Sequence, residues 1–342
     1  MKKSVLVIGG KQFVGRHIVE AGLAQGHEIT LFTRGKTNPD LFADLKHIIG
    51  NRRTDIEFLG NTHWDVVIDT CGYVVGDVTA STQWLRDRCD QYVFISSVSA
   101  YADFSHPNHE SSLLGSIDDS DTTVIDGRTY GPLKAHCEVV VNEAIGQRAL
   151  IIRPGLVVGP WDHTDRFTYW VGRALLGGKI LAPESPECAI QFIDVRDLSK
   201  FVWHCVDKRY SGAFNVVTSP GRDTLGDLIN KACEIAKQPS QIEWASPEFL
   251  ESNNVSAWND MPLWLGPNDM KDMKNMKDIG NMSCFMASSN AKAIEHGLTC
   301  ASLTNTVDVL MTWLKAEPEA RRNTLKSGLN PEREVALLQA LN

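Results

Sequence analysis

Unbroken apolar runs alternate with helically spaced apolar positions along most of this chain. Ser4–Ile8 is a continuous β-type run ending on Gly9 and Gly10, the pattern of a strand buried on both faces. Positions 13, 14, 18, 19, 21 and 23 are then apolar, which predicts a helix closed by Gly26. Glu28–Thr33 predicts a second strand, 47–49 a short third, 64–69 a fourth and 92–95 a fifth, with a helix expected over 78–89. Further helices are expected from Tyr130 through Val141, with Pro132 in the first turn, and over 198–206, 225–236 and 306–316; 213–217 reads as a strand. Strands that alternate with helices in this way predict an α/β fold, a doubly wound parallel (Rossmann) sheet.

The turn after the first strand reads Gly9-Gly10-Lys11-Gln12-Phe13-Val14-Gly15. A strand, glycine turn, helix and strand at the start of a chain form the opening of a dinucleotide-binding fold. Gly9 and Gly15 match the outer glycines of that fingerprint, whereas Gln12 takes the middle place. Backbone N–H groups at the helix start can hold a pyrophosphate if the Gln12 side chain points away. A glycine-capped turn with no ligand is the competing reading. An NAD site usually places a carboxylate at the end of the second strand for the ribose 2′-hydroxyl. Here Phe32-Thr33-Arg34-Gly35-Lys36 has no acid between Glu28 and Asp40, and Arg34 with Lys36 can take a 2′-phosphate, which favours NADP over NAD. Ordinary solvated loop charges are the alternative. Asn51 is a candidate for the adenine edge, and Thr70-Cys71-Gly72 is the small-residue exit of the fourth strand.

In an open parallel sheet, ligands sit outside the carboxyl ends of the strands. Ser96, Ser97 and Ser99 emerge at that edge after the fifth strand. Tyr130 and Lys134 stand four residues apart, on one face of their predicted helix. A free tyrosine has a pKa of about 10, and a neighbouring cation lowers it, each unit being about 1.4 kcal/mol. Such a pair can make tyrosine a working general acid/base. By itself the spacing is equally that of a chance pair on an amphipathic helix.

Read in order, the set is more specific. The glycine turn, 92–101, Tyr130-x-x-x-Lys134, Arg153-Pro154-Gly155, Gly159-Pro160 and the segment 191–197 resemble the extended short-chain dehydrogenases/reductases, in their NAD-dependent epimerase/dehydratase branch. The resemblance covers roughly residues 1 to 230. It implies a smaller, discontinuous C-terminal substrate lobe beside the cofactor domain. Residues 1–160 and about 189–220 would bind the dinucleotide, about 161–188 and 221–305 the substrate, and 306–342 would be a helical extension. It further implies a catalytic set of Ser97, Tyr130 and Lys134. Ser97 would hold the reacting oxygen and Tyr130 would exchange its proton. Lys134 would bind the nicotinamide ribose and lower the tyrosine pKa, with Arg153, Pro154 and Gly155 alongside the nicotinamide. Ser99, Asp165, Arg166, Tyr169, Trp170 and Gln191 are the substrate-side candidates; the competing reading of 162–178 is a surface helix packed by Phe167, Trp170 and Leu175. The expected activity is an NAD(P)-dependent oxidoreductase or epimerase acting on an alcohol or ketone carbon of a small polar, sugar-like metabolite. Leu156 stands where many nucleotide-sugar members carry an asparagine, so a nucleoside-diphosphate sugar is not implied. The rival is a cofactor-binding regulator or RNA-binding member of the same superfamily that turns nothing over, of the kind that binds chloroplast RNA stem-loops. A homodimer formed through cofactor-domain helices is also common in the family.

Composition narrows the partners. With 43% hydrophobic and 22% charged residues and a net charge of −8, the chain reads as a globular cytoplasmic protein with little attraction for nucleic acid or acidic membranes. No stretch approaches the ~20 apolar residues of a membrane span. The eight cysteines include no Cys-x-x-Cys pair, and His106, His109 and Asp118-Asp119 lack ligand spacing, so no metal site is expected. Met270, Met273 and Met276 recur every third residue, as in an amphipathic helix or a flexible apolar lid. Residues 321–341 read as a helical contact arm.

Overall fold

A computed structural model describes residues 1–266 and 282–341. The methionine repeat at 270–276 lies outside the described residues. Six strands appear where unbroken β-type runs end at a turn: β1 (Ser4–Ile8), β2 (Glu28–Thr33), β3 (Lys46–Ile49), β4 (Trp64–Asp69), β5 (Cys89–Ile95) and β6 (Ala149–Pro154). Short β7 (Leu156–Val158), β8 (Gly178–Pro183), β9 (Ala189–Ile190) and β10 (Phe192–Asp194) follow, then β11 (Gly212–Val216), β12 (Asp223–Thr224) and β13 (Ser240–Ala245). Seven strands form one parallel sheet in the order β11-β6-β5-β4-β1-β2-β3. The order reverses between β1 and β4, and a crevice opens there at the carboxyl edge.

Alternation within β1 supplies both faces of this sheet. Val5 and Val7 pack with Ile18 and Val19 of α1 (Phe13–Ala24) and Trp203 of α5 (Val195–Lys208). Leu6 and Ile8 pack on the other side with Val78 of α2 (Val75–Leu85) and Val141 of α3 (Tyr130–Ile145). A helix expected over 78–89 therefore ends at Leu85, and Cys89 instead opens β5. Its residue pairs with Trp64 of β4, so the ladder claims the segment once the charged turn Arg86-Asp87-Arg88 has broken the helical spacing.

A second core lies beyond β7. It joins Phe167, Trp170 and Ala174 of α4 (Arg166–Leu176), Leu228 and Ile229 of α6 (Leu225–Ala236), Ile180 of β8, and Leu310 and Leu314 of the helix Leu303–Ala316. Leu337 and Leu338 of the last helix, Pro331–Leu341, enter the same core. Glu334 anchors that helix, pairing with Arg173 at 2.7 Å and accepting the Leu181 N–H at 3.0 Å. Residues expected as an extension thus help to build the lobe itself.

Candidate active site

The glycine turn is crowded enough to require its glycines. Gly9 has φ +98°, and a Cβ there would lie 2.5 Å from Thr70 Oγ1; one on Gly15 would lie 2.8 Å from Gly10 Cα. The exits of β1 and β4 and the start of α1 therefore touch without side chains between them. Gln12 is extended (φ −135°, ψ 140°) and does not cap α1, whose first turn carries no acid. The first N–H groups of α1 are thus left without a side-chain cap. Phe13 has φ +30°, and its ring meets His163 edge-on at 6.4 Å. Lys11 is buried; its ammonium donates to Pro39 O at 2.6 Å, and Asn38 donates back to Lys11 O at 2.7 Å, tying the loop after β2 to the turn. Arg34 and Lys36 stand exposed on that loop and make no hydrogen bond or ion pair among the described residues. Val14 packs partly against the α1–α5 core. Asn51, past β3, accepts the Arg53 N–H at 3.0 Å and so caps its own loop.

At the end of β5, Ser97 Oγ accepts the Ser99 N–H at 3.0 Å, and its hydroxyl acts on the nearby Tyr130 phenol, favouring the ionised form. Gly131 lets α3 come this close: a Cβ there would sit 2.1 Å from Ser99 O. Burial raises the Tyr130 pKa; the Ser97 hydrogen bond and the charge of Arg166 oppose the rise. One turn on, Lys134 is 2% exposed and donates to Ile95 O at 2.6 Å and Gly72 O at 2.8 Å. Its ammonium lies 4.6 Å from the Phe94 ring centre and 5.0 Å from that of Tyr73, which in turn is 6.4 Å from the Tyr130 ring. Burial pushes the Lys134 pKa down to about 8. The amine thus braces the exits of β4 and β5, while the cation acting on the phenol is Arg166.

Beneath this edge lies a saturated polar floor. Arg153, expected beside the nicotinamide, is 4% exposed and spent on Glu138 at 2.6 Å, the Tyr101 hydroxyl at 3.0 Å and Glu110 O at 3.1 Å. Ser96 also donates to Glu138, and Tyr101 donates to Asn215 at 2.6 Å. Its side chain is a floor element, leaving Pro154 and Gly155 at the strand end. Asp69, the last residue of β4, is fully buried, forks with Arg52 and accepts the Tyr92 hydroxyl at 3.0 Å. Sequence reading passed over this pair, although an acid closing the run Val66-Val67-Ile68 was a visible signal. Beside it Cys71 is pushed up to about 11, mainly by burial, and its thiol meets Ile8 O at 3.5 Å; Thr70 Oγ1 donates to the same carbonyl at 2.9 Å.

Four of the six substrate-side candidates are buried. Trp170 is fully buried and donates to Pro262 O at 2.9 Å. Tyr169, 5% exposed, packs against Gly328. Asp165 is 1% exposed and accepts from Arg321 at 2.6 and 3.2 Å and from the Lys326 N–H at 3.0 Å. Gln191 is 4% exposed and donates to Thr218 O at 2.7 Å and Ser288 O at 2.8 Å. Each fills a core or joins two segments, because the apolar stripe of α4 faces the second lobe. Arg166 keeps its electrostatic reach to Tyr130, and its guanidinium carbon lies 5.4 Å from the ring centre of Trp258, which the sequence offers only as part of a dense apolar group. Among the described residues no group of three or more His, Cys, Asp or Glu could hold a metal, and no helix is long and apolar enough to cross a membrane. A cavity of about 660 Å³ opens at the opposite edge of the sheet, by Lys3, His63 and Arg148, away from all these residues.

The family model described as the NAD dependent epimerase/dehydratase family matches residues 5–217. By sequence, the chloroplast stem-loop binding protein of 41 kDa b of Arabidopsis thaliana is 25% identical over 270 residues, covering 72% of this chain and 68% of that protein. Among solved structures, the Thermus thermophilus UDP-glucose 4-epimerase complex with NAD aligns over 92% of this chain and 99% of its own, with TM-score 0.64 and 16% identity. The Bordetella bronchiseptica enzyme WbmF in complex with NAD+ aligns over 99% and 98%, with TM-score 0.65 and 15% identity. At such identities the likeness to these structures is one of fold.

Proposed function

The chain belongs to the NAD dependent epimerase/dehydratase family, and on that premise we propose that it is an NAD(P)-dependent oxidoreductase or epimerase acting on an alcohol or ketone carbon through Ser97, Tyr130 and Lys134. The observation that carries this reading is the placement of the half-buried Tyr130 phenol near Ser97 at the carboxyl edge of β5, one helical turn from a buried lysine that braces β4 and β5. The cradle fits a dinucleotide. Gly9, Gly10 and Gly15 keep the approach to α1 bare, its first N–H groups would hold the pyrophosphate, and Thr70 to Gly72 would line the path toward Lys134. Bound there, a nicotinamide dinucleotide would supply the hydride acceptor or donor.

The chain's own residues then handle the proton. Ser97 Oγ already accepts from Ser99 N, so its hydrogen is directed to the phenol or to a substrate oxygen in its place. Tyr130, kept protonated by burial, donates its proton to a carbonyl oxygen in the reducing direction and recovers one from the alcohol in reverse. Tyr130→Phe should cut turnover by about 10²- to 10⁴-fold, the usual worth of a positioned acid/base. Dinucleotide affinity should stay within about twofold. Full turnover in that variant would sink the assignment.

The exposed Arg34 and Lys36 support preference for the 2′-phosphorylated cofactor, although the structurally similar epimerase and WbmF complexes contain NAD. Side-by-side titration decides the matter: Arg34→Ala should cost NADP about tenfold in affinity and leave NAD unchanged. A second reading comes from the Arabidopsis relative, a chloroplast stem-loop binding protein. Under that reading the chain binds RNA and turns nothing over. Micromolar RNA affinity that falls steeply with salt, with no turnover of a carbonyl panel, would favour it; the net charge of −8 weighs on the other side.

A further inference from the structure

Arginines with little exposure are expensive unless something accepts their hydrogen bonds. In this protein Arg52, Arg153, Arg173 and Arg196 each meet a carboxylate. Arg166 does not. Its Nε is buried without a partner, and its guanidinium makes no hydrogen bond or ion pair among the described residues. Asp162, the acid whose charge reaches it, is turned away to Thr164, with contacts of 2.8 Å to the backbone N–H and 2.8 and 3.0 Å to the hydroxyl.

The guanidinium is nonetheless held in place. It opens α4 directly after Asp165, which is locked by Arg321 and the Lys326 N–H. It lies over the Trp258 ring, whose other neighbour, Phe285, is 5.8 Å away and in turn 5.1 Å from Phe104. Phe104 shares a small apolar cluster with Val98 and Tyr101, which follow Ser97 in the chain. The rings fix where Arg166 sits, and its charge reaches the Tyr130 phenol from there.

We infer that Arg166 recognises an oxyanion, a carboxylate or phosphate group that the substrate carries within a few bonds of the reacting alcohol or ketone carbon. The planar fork suits such a group, and the indole beneath it excludes water from the contact. Among polar metabolites, anionic hydroxy or keto compounds are then the substrate class, with neutral sugars and simple alcohols disfavoured. This rests on the reading of Tyr130 as the proton-exchanging group.

Three matched probes test it on the dinucleotide-loaded protein: glycerol, glycerate and glycerol 3-phosphate, which share a three-carbon skeleton and carry no group, a carboxylate and a phosphate. Calorimetric titration should give glycerate, glycerol 3-phosphate or both at least about tenfold tighter binding than glycerol, the scale of a charge-assisted contact. The tighter of the two anions identifies the oxyanion. Arg166→Gln should bring all three to the glycerol level, and Arg166→Lys should restore part of the preference. With no internal partner to lose, Arg166→Gln should melt at or above the wild-type temperature, which a structural arginine would not allow. Equal binding of the three probes, an unchanged preference in Arg166→Gln, or a melting point several degrees lower would each overturn the proposal. The measurement needs no turnover. If Tyr130→Phe leaves turnover intact while the anion preference persists, the proton-exchange reading has failed and the oxyanion site has not.

Discussion

The floor and the wall of the cleft use the same residue type in opposite ways. In the floor, Arg153 meets Glu138, the Tyr101 hydroxyl and Glu110 O, and almost none of it reaches solvent. On the wall, Arg166 has its position fixed by neighbours but its hydrogen bonds left open. A saturated buried charge holds strands and helices together. An unsaturated one, half-buried with its Nε unpartnered and its charge reaching Tyr130, is left open for something to bind. The difference separates architecture from recognition more sharply than residue type or proximity to the cleft can.

The comparison breaks most visibly in stability. Arg153→Met leaves Glu138 buried and short of its cation, so it should cost about 3–5 kcal/mol. Arg166→Gln should change stability by no more than about 0.5 kcal/mol. Urea denaturation of the two variants measures both. Comparable losses in the two would erase the distinction between floor and wall.

This distinction also marks how far the chain could be read before its fold was seen. Runs such as Ser4–Ile8 and Trp64–Asp69 bury both faces, so strand identity and the parallel sheet follow from the pattern alone. The crowding that requires glycine at 9 and 15 was legible in the turn itself, whereas the grouping of Ser97, Tyr130 and Lys134 came from resemblance to the family and not from any local spacing. Segment 162–178 was ambiguous: charge interleaved with aromatics suits a binding surface and an amphipathic helix equally. The spacing of Phe167, Trp170, Val171 and Ala174 decides it for a buried face, and all four lie in the second core. What no local pattern could supply were the partners. Asp165 is bound by Arg321, 156 residues away, and Arg173 by Glu334, 161 residues away. Without them an acid and an arginine look like free site residues. Arg153 misled in the same way, its partner Glu138 lying on another element.

A smaller effect sharpens the wall. Asp165 has φ +60°, a conformation asparagine tolerates, so Asp165→Asn removes the charge and keeps the backbone. Loss of the paired Arg321 contacts should cost about 1–3 kcal/mol and speed proteolysis of the chain beyond Ala316. Because Arg166 follows directly, affinity for the anionic probes should weaken as well, while glycerol binding stays put. Unchanged anion affinity would mean that α4 holds its first turn without the clamp.

The smallest effect is a pH dependence, and it separates Lys134 from both arginines. Its pKa, lowered to about 8 chiefly by burial, lies well below that of a free lysine at about 10.4. Between those values the unfolded chain holds a proton that the folded chain has released. Stability from this group therefore rises with pH across that window, by at most about 1.4 kcal/mol per unit, and is lowest below pH 8 where the buried ammonium stays charged. The difference in unfolding free energy between wild type and Lys134→Met, followed from pH 7 to 10, isolates the term from other titrating groups. If the ammonium is what receives the dinucleotide ribose, affinity should move the other way and fall as pH passes about 8, a trend Lys134→Met should lack. Arg153 and Arg166 keep their charge throughout this range, so neither can imitate the pattern. Stability and affinity rising together would show that the lysine charge has no part in holding a cofactor.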